Sequence, residues 1–374
     1  MPETGYKIKP SNTFTLQKNI FYYLILFLFI FSCSKKSRSP LEQEDYPFIL
    51  SADLSSLPLV ESKNIVFYNL NNKPEDLLTT LKNNGINTVR LRLWHTPQNE
   101  NSGFSEVKTF SEKLHSMGFK VWLSVHYSDT WADPGHQIIP QAWEGIEYDI
   151  LKDSISNYTT KIVKEINPDI FQIGNEINPG FLLPYGDINN ETQFIGLLKT
   201  ASEAIRNNSE NCRIMIHYAG INGSDYFFSK MQSLDYDIIG LSFYPIWHGK
   251  YMEVLSNTIN QVSDNYKKSI AIAETAYPFT LGWNDYTNNI IGLEDQIILP
   301  DYPASPQGQK KFISTIINIV KNDSLGFGVS YWGAELIAFD GPTSENGSPW
   351  ENQAFYDFDN TALPVIESFN DLNY

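Results

Sequence analysis

Short apolar runs rich in β-branched and aromatic residues recur along the chain and alternate with segments of helical periodicity. The runs are PFILSADLS (47–55), TVRLRLW (88–94), KVWLSVHY (120–127), DIFQIGNE (169–176), RIMIHYA (213–219), DIIGLSFY (237–244), SIAIAETA (269–276) and GVSYWGA (328–334). Between them lie amphipathic segments such as PEDLLTTLKNNG (74–85) and PQGQKKFISTIINIVKN (306–322). This alternation indicates a parallel sheet with helical crossovers. Eight units in 374 residues predict one α/β domain, a single (β/α)8 or TIM barrel.

A second pattern lies within the strands. In TVRLRLW, aliphatic residues alternate with Arg90, Arg92 and Trp94, and KVWLSVHY ends its polar series at His126. Because successive side chains on a strand point to opposite faces, the polar series should point into the barrel. A buried arginine is costly unless it is paired or solvated. The pattern therefore predicts an active site at the C-terminal ends of the strands, where barrel enzymes keep their sites.

Two carboxylates fall at strand ends. Glu176 is in phase with Gln172 and Gly174 on the fourth run, and Glu274 is in phase with Ile272 on the seventh. Both are therefore expected to face the barrel axis at its mouth. A single glutamate at a strand end is more often a solvated carboxylate, and the joint occurrence on runs four and seven favours a shared site. Other polar or aromatic residues at strand ends are His126, His217, Tyr244 and Trp332.

Two carboxylates across one cleft are what glycosidic bond cleavage requires, and a separation of about 5–5.5 Å is typical of a retaining enzyme. A nearby cation lowers a carboxyl pKa, whereas burial raises it. We expect Arg92 to reach Glu274 and keep it anionic as the nucleophile. Glu176 would then be the proton donor, and Asn175 would orient the 2-hydroxyl of the sugar.

Other chemistries fit the sequence less well. GFGVSYWG (326–333) lacks the third glycine of a dinucleotide loop, and no Gly-x-Ser-x-Gly or Cys-x-x-Cys occurs. His126 and His136 are too far apart for a helical zinc pair. The sequence thus predicts no metal site and no cofactor.

The N-terminus resembles a bacterial lipoprotein signal. Three lysines precede FYYLILFLFIFSC (21–33), whose apolar part is shorter than a membrane-spanning helix of about 20 residues. We expect a signal peptide over 1–32, lipidation of Cys33, a tether over 33–46 and a catalytic domain over 47–374. The product would be an exported, membrane-anchored lipoprotein of the outer membrane, cell surface or periplasm. An uncleaved anchor and a plain secretion signal are the alternatives.

Charge and cysteine content narrow the partners. Loss of residues 1–32 would take the net charge from −16 to −18, because that segment holds three lysines and one glutamate. Such an acidic protein is repelled by nucleic acid, so a neutral ligand is expected. The expected mature chain keeps only Cys212 besides the lipidated Cys33, so no disulfide is expected. Besides its ligand, the only expected partner is the membrane, through the lipid, and we expect a monomer.

Six motifs in order resemble glycoside hydrolase family 53, the arabinogalactan endo-β-1,4-galactanases. They are NTVRLRLWHTP (87–97), HYSDTWADPGHQIIPQAW (126–143), QIGNEINPG (172–180), LSFYPIWHG (241–249), IAIAETAYP (270–278) and WENQAFYDF (350–358). The resemblance implies endo-acting, retaining hydrolysis of β-1,4-galactan, with Glu176 as acid/base and Glu274 as nucleophile. It also implies a substrate groove lined by Asp53, Arg92, His126, Asp129, Trp131, Asp133, Asn175, Tyr244, Trp247 and Trp332, to which the strand positions add Trp94 and His217.

The sequence departs from the family pattern in two places. Tyr277 stands where the family often has Trp, and Gly333-Ala334-Glu335-Leu336 replaces a Glu-Pro-Ala-Trp run. One wall of the groove is therefore expected to differ. Some bacterial members bind a structural calcium through an Asp-rich loop after strand seven. The matching stretch, FTLGWNDYTNNIIG (279–292), holds one Asp, so no tightly held calcium is expected.

Two alternative functions remain open on the sequence. One is another retaining barrel glycosidase, of the β-1,4-mannanase or cellulase type. The other is a surface glycan-binding protein on an inactive barrel, which would not need both Glu176 and Glu274. Product length, tolerance of arabinose branches and the membrane face are not readable from the sequence.

Overall fold

Eight parallel strands close into a barrel in the order of the sequence, with β1 paired to both β2 and β8. The computed structural model describes residues 1–7 and 46–370. The strands are β1 (Ile49–Asp53), β2 (Thr88–Leu93), β3 (Lys120–Val125), β4 (Ile170–Ile173), β5 (Arg213–Tyr218), β6 (Ile238–Ser242), β7 (Ser269–Thr275) and β8 (Gly326–Tyr331). All eight predicted runs contain a strand, so the prediction of a single TIM barrel is confirmed.

Helices follow the strands and cover the outside of the barrel. They are α1 (Leu57–Glu61), α2 (Leu77–Asn83), α3 (Phe104–Ser116), α4 (Tyr148–Glu165), α5 (Glu191–Asn208), α6 (Ser224–Ser229), α7 (Pro245–His248), α8 (Met252–Tyr266) and α9 (Pro306–Lys321). Short 3₁₀ segments are Gln141–Trp143, Glu294–Gln296, Glu351–Gln353 and Pro364–Phe369. Helix α9 begins as the sequence predicts: Pro306 is its first residue, and the Ser305 side chain accepts from the Gly308 N–H.

The alternation within β2 separates two environments. Val89, Leu91 and Leu93 are buried in the hydrophobic core with the helices. Arg90 is 2% exposed and bonds Asp53 and other polar groups from several strands. The barrel interior around Arg90 is therefore a hydrogen-bonded polar network, which can hold the charged residues that the mouth requires.

The chain divides into two units, Met1–Pro47 and Phe48–Tyr374. The second unit contains the whole barrel. The predicted signal peptide and tether, including Cys33, fall almost entirely outside the described residues. Within the described ranges, no helix has both the length and the apolar character needed to cross a bilayer.

Candidate active site

The backbone after β4 brings two neighbouring side chains to the barrel mouth. Gly174 and Glu176 both adopt left-handed conformations, with φ of 71° and 48°. A side chain at Gly174 would lie 2.6 Å from Ile177 Cγ2, so only glycine fits. The Gln137 amide donates to the carbonyls of Asn175 and Glu176 at 2.8 and 3.2 Å. This turn ends the strand earlier than predicted and sends Asn175 and Glu176 into one cleft, at a conformational cost of about 1–2 kcal/mol for Glu176.

Glu274 reaches the axis through a β-bulge. Leu241 pairs with Ile272, but the next residue, Ser242, pairs with Glu274, so that Ala273 is passed over. Ile272 packs in the hydrophobic core, whereas Glu274 bonds groups at the barrel centre. The prediction that Glu274 faces the axis is confirmed. The reason given for that prediction, that Glu274 shares a strand face with Ile272, was wrong, because the bulge turns Glu274 away from the face that Ile272 occupies.

One cleft of about 350 Å³ lies at the mouth of the barrel and contains both carboxyl groups. The predicted site residues that line it are Asp53, Arg92, His126, Trp131, Asp133, Asn175, Glu176, Tyr244, Trp247, Glu274 and Trp332. Six further lining residues were not assigned from the sequence, and the three with charged or aromatic side chains are Arg90, His248 and Trp350. The sequence contained a signal for each of these three. Arg90 belongs to the inward-facing series of β2, and His248 and Trp350 lie inside motifs that resemble the family.

Arg90 connects the groups around Glu274. Its Nη1 donates to Asp53 Oδ2 at 2.6 Å, and its Nη2 donates to Glu274 Oε1 at 2.7 Å and Asn175 Oδ1 at 2.9 Å. Tyr244 donates its hydroxyl hydrogen to the other oxygen of Glu274 at 3.1 Å. Each oxygen of the Glu274 carboxylate thus accepts a charge-assisted hydrogen bond, and one of the two donors, Arg90, is a cation.

The prediction that Arg92 pairs with Glu274 is wrong. Arg92 Nε donates to Ser102 Oγ at 3.0 Å, and its guanidinium lies between the rings of Trp94 and Trp131, 4.5 and 4.0 Å from their centroids. Arg90, two positions earlier on β2, lies deeper in the barrel, and it makes the ion pair instead. Arg92 therefore supports an aromatic wall of the cleft through cation–π contacts.

Three residues predicted to contact substrate do not line the cleft. Trp94 packs behind Trp131, with ring centroids 5.4 Å apart. Asp129 accepts backbone N–H groups of the loops after β2 and β3 at 2.9 Å each. His217 is fully buried below the cleft. All three hold neighbouring groups in place. Neither the strand positions of Trp94 and His217 nor the family resemblance at Asp129 distinguishes that role from substrate contact.

His217 acts on Glu176 through Ser242. The Ser242 hydroxyl donates to Glu176 Oε1 at 2.5 Å, and its oxygen lies 2.9 Å from His217 Nε2. The other ring nitrogen, Nδ1, lies 3.1 Å from both the Gln172 amide nitrogen and Asn175 Oδ1. Burial, reinforced by the charge of Arg90, lowers the pKa of His217 well below its ordinary value. His217 is therefore neutral and orients the hydroxyl that holds Glu176.

The two carboxyl groups have different electrostatic environments. Burial raises the pKa of Glu176 to about 8, and the charge of Glu274 adds to the rise. Burial also raises the pKa of Glu274, but there the nearby guanidinium of Arg90 opposes the rise most strongly. Since the cation bonds Glu274 directly, a single proton shared by the pair resides on Glu176. Glu176 is thus the acid of the pair and Glu274 the anion.

Aromatic rings form a wall along the cleft. Trp332 contacts Trp131 and Trp350, with ring centroids 6.2 and 4.4 Å apart, and Trp350 contacts Trp247 at 6.2 Å. Trp131 and Trp247 are 44% and 55% exposed, which is unusual for large rings. Exposed rings beside polar groups suit the apolar face and the hydroxyls of a sugar ring.

The departures from the family pattern fall in different places. Tyr277 does not form a cleft wall: it is buried, stacks on Phe312 at 4.2 Å and donates its hydroxyl to the Tyr302 carbonyl. Leu336, in contrast, lines a hollow of about 350 Å³ together with Trp131 and Trp332, which also line the cleft. The altered wall therefore comes from the loop after β8 alone.

Buried oxygen atoms without hydrogen-bond partners gather near the loop after β7. They are Asp285 Oδ2, Asn289 Oδ1 and Glu351 Oε2. Asn289 Nδ2 lies 3.5 Å from Glu351 Oε1, and the charge of Asp285 raises the pKa of Glu351 further than burial alone. Among the described residues, no group of three His, Cys, Asp or Glu forms a metal site. Two carboxylates and an amide oxygen are nevertheless ligand types that calcium accepts.

A TIM barrel with two carboxyl groups facing one aromatic-walled cleft has the site of a glycosidase. The sequence matches the model of Glycosyl hydrolase family 53 over residues 49–369. The chain belongs to this family and is a glycosidase.

Several relatives and solved structures resemble it over most of their length. The arabinogalactan endo-beta-1,4-galactanase of Cellvibrio japonicus is 32% identical over 87% of this chain and 91% of its own. The endo-beta-1,4-galactanase of Bacillus subtilis is 31% identical over 86% of this chain and 85% of its own. The GH53 catalytic domain of Ignisphaera aggregans superposes with a TM-score of 0.81, at 37% identity, covering 88% of this chain and 98% of that one.

Proposed function

We propose that this protein is an endo-acting hydrolase of β-1,4-galactosidic bonds in galactan and type I arabinogalactan. The names of its relatives support the substrate. The observation that carries the proposal is the pair Glu176 and Glu274 in one cleft, with a raised pKa on the first and an arginine bond on the second. A mannanase or cellulase activity is disfavoured by family membership.

We propose a retaining double displacement by the pair. Glu176 donates its proton to the glycosidic oxygen while Glu274 attacks the anomeric carbon, forming a glycosyl ester and releasing the leaving chain. Glu176, now anionic, then takes a proton from water, whose oxygen displaces Glu274. The pKa of about 8 keeps Glu176 protonated at neutral pH in the free enzyme.

Recognition of the sugar falls to the groups that line the cleft. Asn175 uses its oxygen for Arg90 and Gln172 and one N–H for the Ala132 carbonyl, so one N–H remains to donate to the 2-hydroxyl. His126 Nδ1 accepts from the Ala132 N–H, which leaves its other ring nitrogen for substrate. Aromatic stacking and such donors together can distinguish the axial 4-hydroxyl of galactose. The remaining proposed contacts are Asp53, Arg92, Trp131, Asp133, Tyr244, Trp247 and Trp332.

The test is hydrolysis of purified linear galactan, mannan and cellulose side by side, with products followed over time. We expect galactan alone to be cut, with intermediate-length products appearing before short ones, as random internal cleavage produces. Glu274→Ala should lose almost all activity. Wild-type galactan cleavage by Glu274→Ala would contradict the proposed nucleophile, and preferential cleavage of mannan would contradict the substrate.

We further propose that Cys33 carries a lipid that anchors the enzyme to a membrane. The support is the basic and apolar segment that ends in Cys33. When expressed in a bacterial host supplied with labelled palmitate, the wild-type protein should take up the label, and Cys33→Ala should take up none. Equal labelling of both, or none in the wild type, would contradict lipidation at this residue.

A further inference from the structure

A buried carboxyl group outside the double displacement lies in the loop after β8. Glu335 is 1% exposed. Its Oε1 accepts the Ser56 N–H at 2.7 Å, and its Oε2 has no hydrogen-bond partner. Burial raises the pKa of Glu335 to about 8, and the charge of Asp53 contributes to the rise. Glu335 is therefore a neutral acid at neutral pH that joins the loop after β8 to the loop after β1.

The loop after β1 holds Asp53. Ser55, next to Ser56, donates to Asp53 Oδ1 from both its N–H, at 3.0 Å, and its Oγ, at 2.5 Å. The same hydroxyl accepts the Arg92 N–H at 2.8 Å. The backbone of residues 55 and 56 therefore sets the orientation of the Asp53 carboxylate, and Glu335 fixes that backbone from the opposite side.

Asp53 in turn holds the arginine that bonds the proposed nucleophile. Its second oxygen accepts from Arg90 at 2.6 Å, and Arg90 donates to Glu274 at 2.7 Å. A series of hydrogen bonds, joined by the peptide bond between Ser55 and Ser56, thus runs from Glu335 to Glu274. The side chains in it are buried, so they have little freedom.

We propose that Glu335 is a positioning residue for catalysis: its accepting oxygen holds the loop after β1, so that Asp53 and Arg90 keep the Glu274 carboxylate aimed at the anomeric carbon. This inference rests on the proposed role of Glu274. The charged groups that act on Glu335 are Asp53 and Arg92, so ionisation of Glu335 would place a second anion beside Asp53 and disturb the same series.

The test compares Glu335→Gln with Glu335→Met, which have similar volumes. Gln keeps an oxygen that can accept the Ser56 N–H, whereas Met leaves that N–H buried without a partner. We expect kcat on galactan within about twofold of wild type for Gln and lowered about tenfold or more for Met, with KM nearly unchanged. The acidic limb of kcat/KM should move in Met alone, because displacement of Asp53 and of the Arg90 that it holds changes the pKa of Glu274.

Two results would overturn the inference. One is a Met variant with wild-type kcat and an unmoved acidic limb. The other is a Gln variant as impaired as Met, which would mean that the carboxyl group itself, and not its accepting oxygen, is needed. A purely structural role would lower the melting temperature without moving the acidic limb, and it would count against positioning.

A second variant decides the question if Glu335→Met does not fold. Ser55→Ala removes the hydroxyl bond to Asp53, the next link, and should also lower kcat and move the acidic limb; wild-type kinetics would overturn the inference. The Glu274→Ala variant distinguishes a failure of the positioning role from a failure of the proposed function. If Glu274→Ala is inactive while Ser55→Ala and Glu335→Met match wild type, only the positioning role fails.

Discussion

Arg90 on β2 donates to Glu274 on β7 at 2.7 Å across the barrel. The two strands are not neighbours in the sheet, so this ion pair crosses the interior and ties the two sides of the mouth together. Asp53 shares the same guanidinium, which leaves Arg90 between two carboxylates. The charge balance of these two carboxylates therefore depends on the buried guanidinium that they share.

Replacement of Arg90 by Lys should damage both catalysis and folding. A lysine ammonium cannot bond Asp53, Asn175 and Glu274 in the fork geometry of a guanidinium. We expect kcat on galactan to fall roughly 10²-fold and the free energy of unfolding to fall by about 3–5 kcal/mol. Kinetics and urea unfolding measure the two effects.

Arg92→Lys is the matched control, because Arg92 lies two positions along the same strand and stacks on Trp131 without an ion pair to Glu274. It should raise KM more than it lowers kcat. A larger loss of kcat for Arg92→Lys than for Arg90→Lys would contradict the assignment of the ion pair.

Stability should fall as pH rises through the ionisation of Glu176. The pKa of Glu176 is about 8 in the folded protein, above the ordinary value of about 4.3 for an unfolded chain. Between about pH 4.3 and 8, Glu176 is protonated in the folded state and ionised in the unfolded state. Its contribution to the free energy of unfolding is therefore complete below the pKa of the unfolded chain. It is lost as pH rises to the pKa of the folded protein, by at most about 1.4 kcal/mol per pH unit.

Glu176→Gln removes this titration and should flatten the profile. Its melting temperature should exceed that of wild type by an increasing margin as pH rises from about 5 to 8. Calorimetry at several pH values measures the difference, with Glu144→Gln, an exposed glutamate, as control. A constant difference across this range would show that Glu176 is not protonated in the folded enzyme.

Trp350 should contribute to binding although sequence reasoning did not assign it. Its ring packs between Trp332 and Trp247 in the cleft wall. Trp350→Ala should raise KM for galactan about tenfold, equivalent to about 1.4 kcal/mol. Trp283, half exposed and outside the residues that line the cleft, supplies the control, since Trp283→Ala should leave KM within about twofold. Equal effects of both substitutions would remove Trp350 from the binding wall.

Calcium should stabilise the fold at Asp285, Asn289 and Glu351, each of which has a buried oxygen without a hydrogen-bond partner. A bound ion would join the loop after β7 to the Glu351–Gln353 segment and take no part in the chemistry. We expect millimolar calcium to raise the melting temperature by a few degrees relative to EGTA, as binding to the folded state requires. Glu351→Gln should lose most of this response. An equal response in wild type and variant, or none in wild type, would contradict the site.

The strand pattern alone was sufficient to predict the barrel and the end at which its site lies. Alternation of apolar and polar residues is local, and closure makes the C-terminal ends of all eight strands meet at one rim. For this reason residues as distant as Glu176 and Glu274 could be placed together from their positions at run ends. The fold and the two carboxyl groups at the mouth are in this sense properties of the sequence.

Depth and loop packing were decided by the tertiary structure. Whether Arg90 or Arg92 bonds Glu274 depends on their depth along the barrel axis. The two-residue alternation of a strand cannot decide this, because it assigns both arginines to the same face. The bulge beside Ser242 and the left-handed backbone at Glu176 break that period where the site needs them. The contact between Glu335 and Ser56 joins loops 279 positions apart. Such contacts arise from packing between distant segments, and no local pattern contains the information that selects them.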